Sequence, residues 1–418
     1  MRRGGAQRLP RLRAERLKAL SRKKIYLIAI STWFAAFGMQ SVLFAWLVTI
    51  MLREPAERVG YAQMSILLPG MLLILLAGAI ADRVGLHRQA LWSQLFAALT
   101  PMLLVYLLYF EALSYSVIIV YALLMGLAQA FVTPARDGLL NHVAGDNIQR
   151  MVVLASLCQF GFQILGYTLA GFADTVGAIT ILSMQSIILL LGCGALVALG
   201  EVGVPRTQSQ QASIMKDLWE GASIVASDPL MRAVMIQNVA MGVFFMGAFI
   251  VAFPLVVREI YDGTSSDLAS LNAFNSLGLV ITIGLLLRIG HVARAGRALL
   301  LSQFIGSLVL ALAGWVVQQY LFVFCVFLWG ICGGVAMPMS RTLMQQTAPS
   351  ALRARVMSFY AFSFMGAGPL GALWAGYLAD SVGPQNAIMI SAGCMALLAL
   401  IMGVVSPLWG SATEQTAA

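Results

Sequence analysis

Twelve apolar stretches of about 20 residues or more interrupt this 418-residue chain, and that length matches the roughly 30 Å of hydrocarbon in a bilayer. They lie near 25–51, 61–81, 89–110, 114–135, 151–173, 177–200, 232–257, 268–287, 296–318, 320–340, 356–379 and 385–408. A transmembrane barrel would instead need alternating segments of about ten residues, and the sequence offers none. Hydrophobic residues make up 60% of the chain, charged residues only 10%, and the mean hydropathy is +0.87. No single soluble core could hide that much apolar surface. The expected fold class is all-α integral membrane with twelve transmembrane helices.

The spans are written twice. Gly78-Ala-Ile-Ala-Asp82-Arg83-Val-Gly85-Leu-His87-Arg88, which joins the second and third spans, recurs weakened as Gly284-Leu-Leu-Leu-Arg288-Ile-Gly290-His-Val-Ala-Arg294. Gly126 and Pro134 have counterparts at Gly330 and Pro338, and Asp174 and Gly177 at Asp380 and Gly383. A period near half the chain predicts two six-helix, pseudo-symmetric halves. The organisation expected is a basic tail over 1–24, a first half over 25–200, a polar linker over 201–231, a second half over 232–409 and a short tail over 410–418. Within the linker, Ile214-Met-Lys216-Asp217-Leu-Trp219-Glu220-Gly221 has the pattern of a helix lying along a membrane surface.

Charge sets the orientation. With the amino terminus in the cytoplasm, all of the 26 Lys and Arg except Arg53, Arg58 and Arg258 fall on the cytoplasmic side. That imbalance predicts both termini in the cytoplasm of a multi-pass protein of the cytoplasmic (inner) membrane. The net charge of +9 is then topogenic, and the basic stretch before the first span points to anionic lipid rather than nucleic acid. The first span is too long for a cleavable signal peptide. Cys158, Cys193, Cys325, Cys332 and Cys394 all fall inside spans without paired spacing, so neither disulfides nor a metal site is expected.

Two six-helix halves with Gly-x-x-x-Asp-Arg-x-Gly-x-x-Arg after the second helix resemble the major facilitator superfamily. Gly78, Asp82, Arg83, Gly85 and Arg88 match its cytoplasmic signature. Trp219-Glu220-Gly221 with Asp228-Pro229-Leu230-Met231-Arg232, and Pro134-Ala135-Arg136, are similar to the exporter branch that includes the enterobactin exporter and the transmembrane secretion effectors. The second of these motifs, continued to Gly138, also resembles a lysophospholipid transporter of the same superfamily. The resemblance implies a secondary active transporter working by alternating access, with the signature loop and Arg136 as cytoplasmic gate.

In that gate Asp82 ends the second helix and Arg136 the fourth, on one face, so an ion pair between them is expected. The amino terminus of the eleventh helix, near Arg355, offers partial positive charge from the other half. The bland alternative is a solvated loop. The second copy has Arg288 in place of Asp82, so the gate should be asymmetric.

Ionised residues are costly in hydrocarbon and mark ion pathways, yet no span carries one near its midpoint. Resemblance to drug–proton antiporters would place an arginine in the fourth helix, where this chain has Ala122. Proton coupling would therefore fall to carboxylates nearer the interfaces: Asp82, Glu54, Glu57 or Asp174. The central spans instead offer amides and aromatics. Gln40, Ser41, Gln129, Gln159, Gln163, Asn272 and Asn275, with Phe37, Tyr121, Phe245, Trp329 and Phe364, are the expected cavity lining. Interhelical hydrogen bonding and ordinary packing are the alternative for each. Such a lining suits an amphipathic solute, a drug or siderophore-like metabolite, that carries no localised charge. A nutrient importer of the same fold is a nearer rival than a membrane enzyme, because His87, His142 and His291 sit in loops without catalytic or ligand spacing. Expected partners are the small-molecule substrate, membrane lipids and, for coupling, protons. No cofactor is expected, and the protein should act as a monomer.

Asp82→Asn should cripple transport while leaving the protein folded and inserted, because it removes a gate contact and no core packing. Normal turnover in vesicles at matched abundance would contradict the gate assignment.

Overall fold

In the computed structural model, residues 8–144, 148–201, 214–290, 292–349 and 352–410 are described. Residues 1–7 of the basic tail, 202–213 of the linker, His291 and the tail from 411 lie outside the described residues, as does the side chain of Asp82. Every regular element among the described residues is helical. In chain order the long helices are α1 (Arg8–Trp46), α2 (Ala56–Val84), α3 (Leu86–Tyr109), α4 (Tyr115–Ala144), α5 (Ile148–Ala170) and α6 (Ala178–Leu199). After a linker helix, Ile214–Ser227, follow α7 (Pro229–Glu259), α8 (Ser265–Ile289), α9 (Ala295–Trp315), α10 (Gln319–Thr347), α11 (Arg353–Val382) and α12 (Pro384–Val405). Eleven of these are long and apolar enough to cross a membrane among the described residues, and α2, of 29 residues, runs alongside them.

Two of the helices loosen into π turns. α1 continues as a π segment over Leu47–Met51, and α7 is interrupted at Met241–Met246 and Ala248–Ala252. The α7 segments lie where glycines bring two backbones together. A Cβ at Gly247 would collide with the Gly371 carbonyl of α11, and one at Gly242 with the Ala367 Cβ. A widened turn lets α7 keep its hydrogen bonds while crossing α11 this closely.

Between helices in lipid the hydrophobic effect is weak, so close packing of small residues must hold them together. The duplicated glycines do this in both halves. A side chain at Gly126 of α4 would strike the Ile66 carbonyl of α2, and one at Gly330 of α10 the Asn275 carbonyl of α8. Gly177 and Gly383, also a repeated pair, share a backbone state with φ of 86° and 85° and ψ of 151° and 158°. Only glycine adopts that state readily, and it lets α6 and α12 start abruptly after the preceding turn.

The two halves meet unevenly. Call the end carrying the linker helix the linker face and the other the far face. At the far face, Gly60 of α2 lies against Ala372 and Gly376 of α11, and Gly171, just after α5, against Ala269 and Ser266 of α8. Tyr61 and Tyr377 join hydroxyls across the same seam. Contact between α2 and α11 continues to mid-depth, where Met71 reaches Gly366 and Met365 reaches Gly70. Toward the linker face, a Cβ at Gly78 of α2 would enter open space. The buried apolar cores agree. One cluster runs through both halves by way of Met39, Leu47, Val59, Phe253 and Ala372. Tyr26, Trp33, Phe34, Ala135 and Leu139, on the linker side of the first half, form a separate cluster. The halves are thus joined at the far face and part toward the linker face.

Gly376→Val should weaken that seam, since even a Cβ there would stand 2.9 Å from the Gly60 Cα and 3.1 Å from the Ala56 carbonyl. Thiol labelling of a cysteine introduced at Pro55 should rise several-fold in this variant. Labelling equal to the parent would show that the glycine contact does not hold the far face shut.

Candidate functional site

The halves meet along α1, α2 and α5 on one side and α7, α8 and α11 on the other, and the two halves differ in chemistry. The first half is amide-rich. Gln40 on α1 is buried, and its Oε1 accepts from the Tyr121 hydroxyl of α4 (2.5 Å) and from Gln185 Nε2 of α6 (2.9 Å). Gln185 was invisible to sequence reasoning, because nothing local shows that α6 turns this residue inward. Tyr121, expected on the cavity wall, is only 3% exposed and spends its hydroxyl in this cluster. Phe37, Gln40 and Gln129 share a small pocket with Trp33, Ile66 and Met125. Ser41 donates to the Phe37 carbonyl one turn back.

On α5, Gln163 donates to the Tyr167 hydroxyl (2.6 Å), which faces Ser276 of α8 across the seam between the halves. Gln159, one turn from Gln163 toward the linker face, is half-buried. In the second half the amides are committed to backbone: Asn272 Nδ2 to the Leu268 carbonyl and Asn275 Nδ2 to the Val326 carbonyl of α10.

Aromatic rings dominate the second half. Trp329 lies 5.6 to 5.8 Å, centroid to centroid, from Phe245, Phe249 and Phe253. Phe253 packs edge-on against Phe322 at 5.3 Å, and Phe322 against Tyr261 at 5.6 Å. Edge-to-face pairs of this kind stabilise beyond area alone. Sequence reasoning singled out Phe245 and Trp329 but missed Phe249, Phe253 and Phe322, whose spacing along α7 and α10 would have placed them on one stripe. Phe364 of α11 is half-buried near Gly242. Burial, and to a lesser degree Cys325, push the Tyr261 hydroxyl up to about 12, so it remains a donor to the Val316 carbonyl at any physiological pH.

Charged side chains gather at the ends. At the far face Asp174, just after α5, accepts from the Ser265 backbone N–H at the start of α8 (2.5 Å) and from Trp46 Nε1 (3.0 Å). The Ser265 hydroxyl returns a bond to the Gly171 carbonyl (2.9 Å). A carboxylate of one half therefore caps a helix of the other, where the helix dipole favours negative charge. Arg258, at the end of α7, donates to the Glu54 carbonyl (2.6 Å) and the Thr49 carbonyl (3.3 Å) beyond α1. Glu54 pairs with Arg58 at 3.0 Å, and the Tyr61 hydroxyl donates to Glu57 at 3.1 Å. Two of the three far-face cations thus act in structure: Arg258 clamps the halves, and Arg58 also lies over the Tyr115 ring.

At the linker face the expected gate residues are more dispersed. Gly85, at φ 97°, turns the chain between α2 and α3, and Arg83 is exposed. Arg88 pairs with Glu201 after α6 at 2.7 Å, inside its own half. Arg136 lies over the Phe34 ring at 4.7 Å and pairs with its neighbour Asp137 at 3.1 Å. The Asp82 side chain, its expected partner, lies outside the described residues. Glu220 of the linker helix meets Arg355 at 2.6 Å, near the start of α11. Gly221 allows that approach, because a Cβ there would stand 2.8 Å from the Arg355 carbonyl. No three His, Cys, Asp or Glu among the described residues stand together as a metal site.

A family model for transmembrane secretion effectors, transporters of the major facilitator superfamily, matches residues 15–417. The chain belongs to this family. It is similar to the multidrug efflux pump Tap of Mycolicibacterium fortuitum, with 25% identity over 393 residues, 91% of this chain and 94% of that relative. Its fold is shared with an auto-inhibited peptide transporter of the POT family (TM-score 0.72, 14% identity, 92% and 96% of the two chains). A bacterial homologue of the human lysosomal transporter Spinster, solved inward-facing and unoccupied, also matches (TM-score 0.68, 12% identity, 94% and 95%). So does the nucleoside transporter NupG (TM-score 0.67, 14% identity, 92% and 97%). This protein is a membrane transporter and not an enzyme.

Asp174→Asn keeps an acceptor oxygen but removes the charge that α8 favours. At this exposed rim the closed far face should lose about 1 kcal/mol, after allowance for screening. The fraction open at the far face, read by spin-label distances, should rise about fivefold. No change would show that Asp174 is a bystander.

Proposed function

We propose that the protein is a secondary exporter that works by alternating access and carries an amphipathic small molecule across the cytoplasmic membrane. The observation that carries this reading is the uneven seam. The halves are clamped at the far face by Asp174, Arg258 and the glycine contacts, and part toward the linker face. With the linker in the cytoplasm, as the charge distribution predicts, this is a state ready to take up cargo from inside. The similarity to Tap, a multidrug efflux pump, supports export over uptake.

The cleft chemistry supports a neutral or charge-delocalised cargo. Amides on one side and a Trp329-centred aromatic wall on the other supply weak hydrogen bonds, π surface and no ionised group. Such a wall accepts varied shapes by dispersion while fixing little. Coupling to protons is assigned to the far rim. Asp174 is the far-rim carboxylate that joins the halves, through the bond it accepts from the Ser265 N–H.

Inside-out vesicles carrying the protein, given a panel of lipophilic cations, neutral drugs, catecholate siderophores and lysophospholipids, test this. Accumulation of at least one panel member that requires an imposed proton gradient is expected. Uptake indifferent to the gradient would contradict coupling, and absence of transport across the whole panel would contradict the export reading.

A further inference from the structure

The buried cluster of Gln40, Tyr121 and Gln185 leaves two side-chain atoms without a partner, Gln40 Nε2 and Gln185 Oε1, and of the two residues Gln40 borders the small pocket described above. Gln40 is 5% exposed, Tyr121 3% and Gln185 fully buried, at a depth where lipid supplies no hydrogen-bonding partner. Carbonyl oxygens accept only, and this fixes how the amides are turned. The Ala36 carbonyl lies 3.3 Å from Gln185 Nε2, so that end of Gln185 must be the NH2 group. The same NH2 donates to Gln40, whose facing atom must then be Oε1, and Tyr121 donates to that oxygen as well. Gln40 Nε2 is left with no partner. A buried donor whose hydrogen bond is unmade is costly, and one whose oxygen already accepts two bonds is polarised into a stronger donor.

Gln40 also forms part of the wall of the pocket facing Trp33, Phe37, Ile66, Met125 and Gln129. The cavity has a volume of about 20 Å³ and no ionised side chain on its wall. That is room for a single oxygen-sized group and not for a whole drug molecule. Two aromatic rings, Trp33 and Phe37, border it. Neither an anion nor a cation would find a counter-charge here.

We infer that the pocket at Gln40 is a socket for one neutral acceptor of the transported molecule, a carbonyl oxygen carried on an aromatic ring system. The inference rests on the export reading above and assigns the cargo a feature that reading leaves open. Gln40 Nε2 donates to the carbonyl, Trp33 and Phe37 flank the attached ring, and the remainder of the molecule extends into the cleft toward the second half's aromatic wall. Tyr121 and Gln185 act as positioning residues, since they hold Gln40 by its oxygen and so present its nitrogen.

Matched tricyclic and diphenyl pairs that differ only in C=O against CH2 test the assignment: xanthone with xanthene, anthrone with 9,10-dihydroanthracene, and benzophenone with diphenylmethane. Binding to the purified full-length protein in lipid nanodiscs is followed by quenching of tryptophan fluorescence. The parent should bind the ketone of at least one pair about tenfold more tightly than its methylene partner, as one neutral hydrogen bond gives. Gln40→Met should bring that ratio to about one while leaving methylene affinity within about twofold. Tyr121→Phe, which keeps the Gln40 amide, should retain most of the preference. If Gln40→Met fails to insert, the parent's discrimination alone decides. Equal binding of ketone and methylene partner in all three pairs, or binding of neither, would overturn the inference. A Gln40→Met variant that weakens both members equally would return Gln40 to helix packing and also overturn it. Vesicle export of another panel member alongside any of these results would leave the export reading standing, whereas its failure would appear as no export across the whole panel.

Discussion

Asp174 of the first half caps α8 of the second, and much of the conformation described here depends on that arrangement. In hydrocarbon, helices gain little by leaving lipid for one another, so two bundles stay together only where backbones approach closely or where polar groups at helix ends find each other. Both conditions hold at the far face. Glycines 60, 171 and 376 bring the backbones together there, and Asp174 and Arg258 supply bonds between the halves. None of these bonds is deep in the membrane, and each is strong only while its geometry is kept. A seam of this kind can be closed and still be opened at modest cost, which alternating access requires.

The duplicated sequence builds scaffold more faithfully than site. Gly126 and Gly330 seat α4 on α2 and α10 on α8 in the same way, and Gly177 and Gly383 share one backbone conformation. Chemistry then diverges on that common frame. Gln40, Tyr121 and Gln185 form a buried amide cluster in the first half, while Phe245, Phe249, Phe253, Phe322 and Trp329 form an aromatic one in the second. The asymmetry extends to the rim: α8 opens on Ser265, whose N–H serves Asp174, whereas α2 follows Pro55 and receives no side-chain cap.

Much of the fold was legible in the sequence because the bilayer imposes a length on every crossing segment and a price on every ion. The spans, the glycine pairs and the interfacial place of Asp174 follow from those two constraints. Contacts made across helices were less legible. Helix periodicity puts Gln163 and Tyr167 on one face of α5, yet it says nothing of Ser276, which faces Tyr167 from α8. Gln185 resembles any polar residue in an apolar span until α6 is packed beside α1. Arg136 lies over the Phe34 ring beside Asp137, and the side chain of Asp82, the partner expected for it, lies outside the described residues. A guanidinium can satisfy itself on an aromatic face, an option that charge pairing along a sequence does not suggest.

Paired distances across the two ends of the seam, measured in one sample, test the account most directly. Spin labels at Val176 and Ile260 report the far face, and labels at Arg83 and Arg353 the linker face, by double electron–electron resonance in lipid nanodiscs. Without cargo the far-face pair should be short and the linker-face pair long. Asp174→Asn should lengthen the first and shorten the second together. Two distances that stay fixed, or that lengthen and shorten in the same sense, would contradict a seam that opens at one face as it closes at the other.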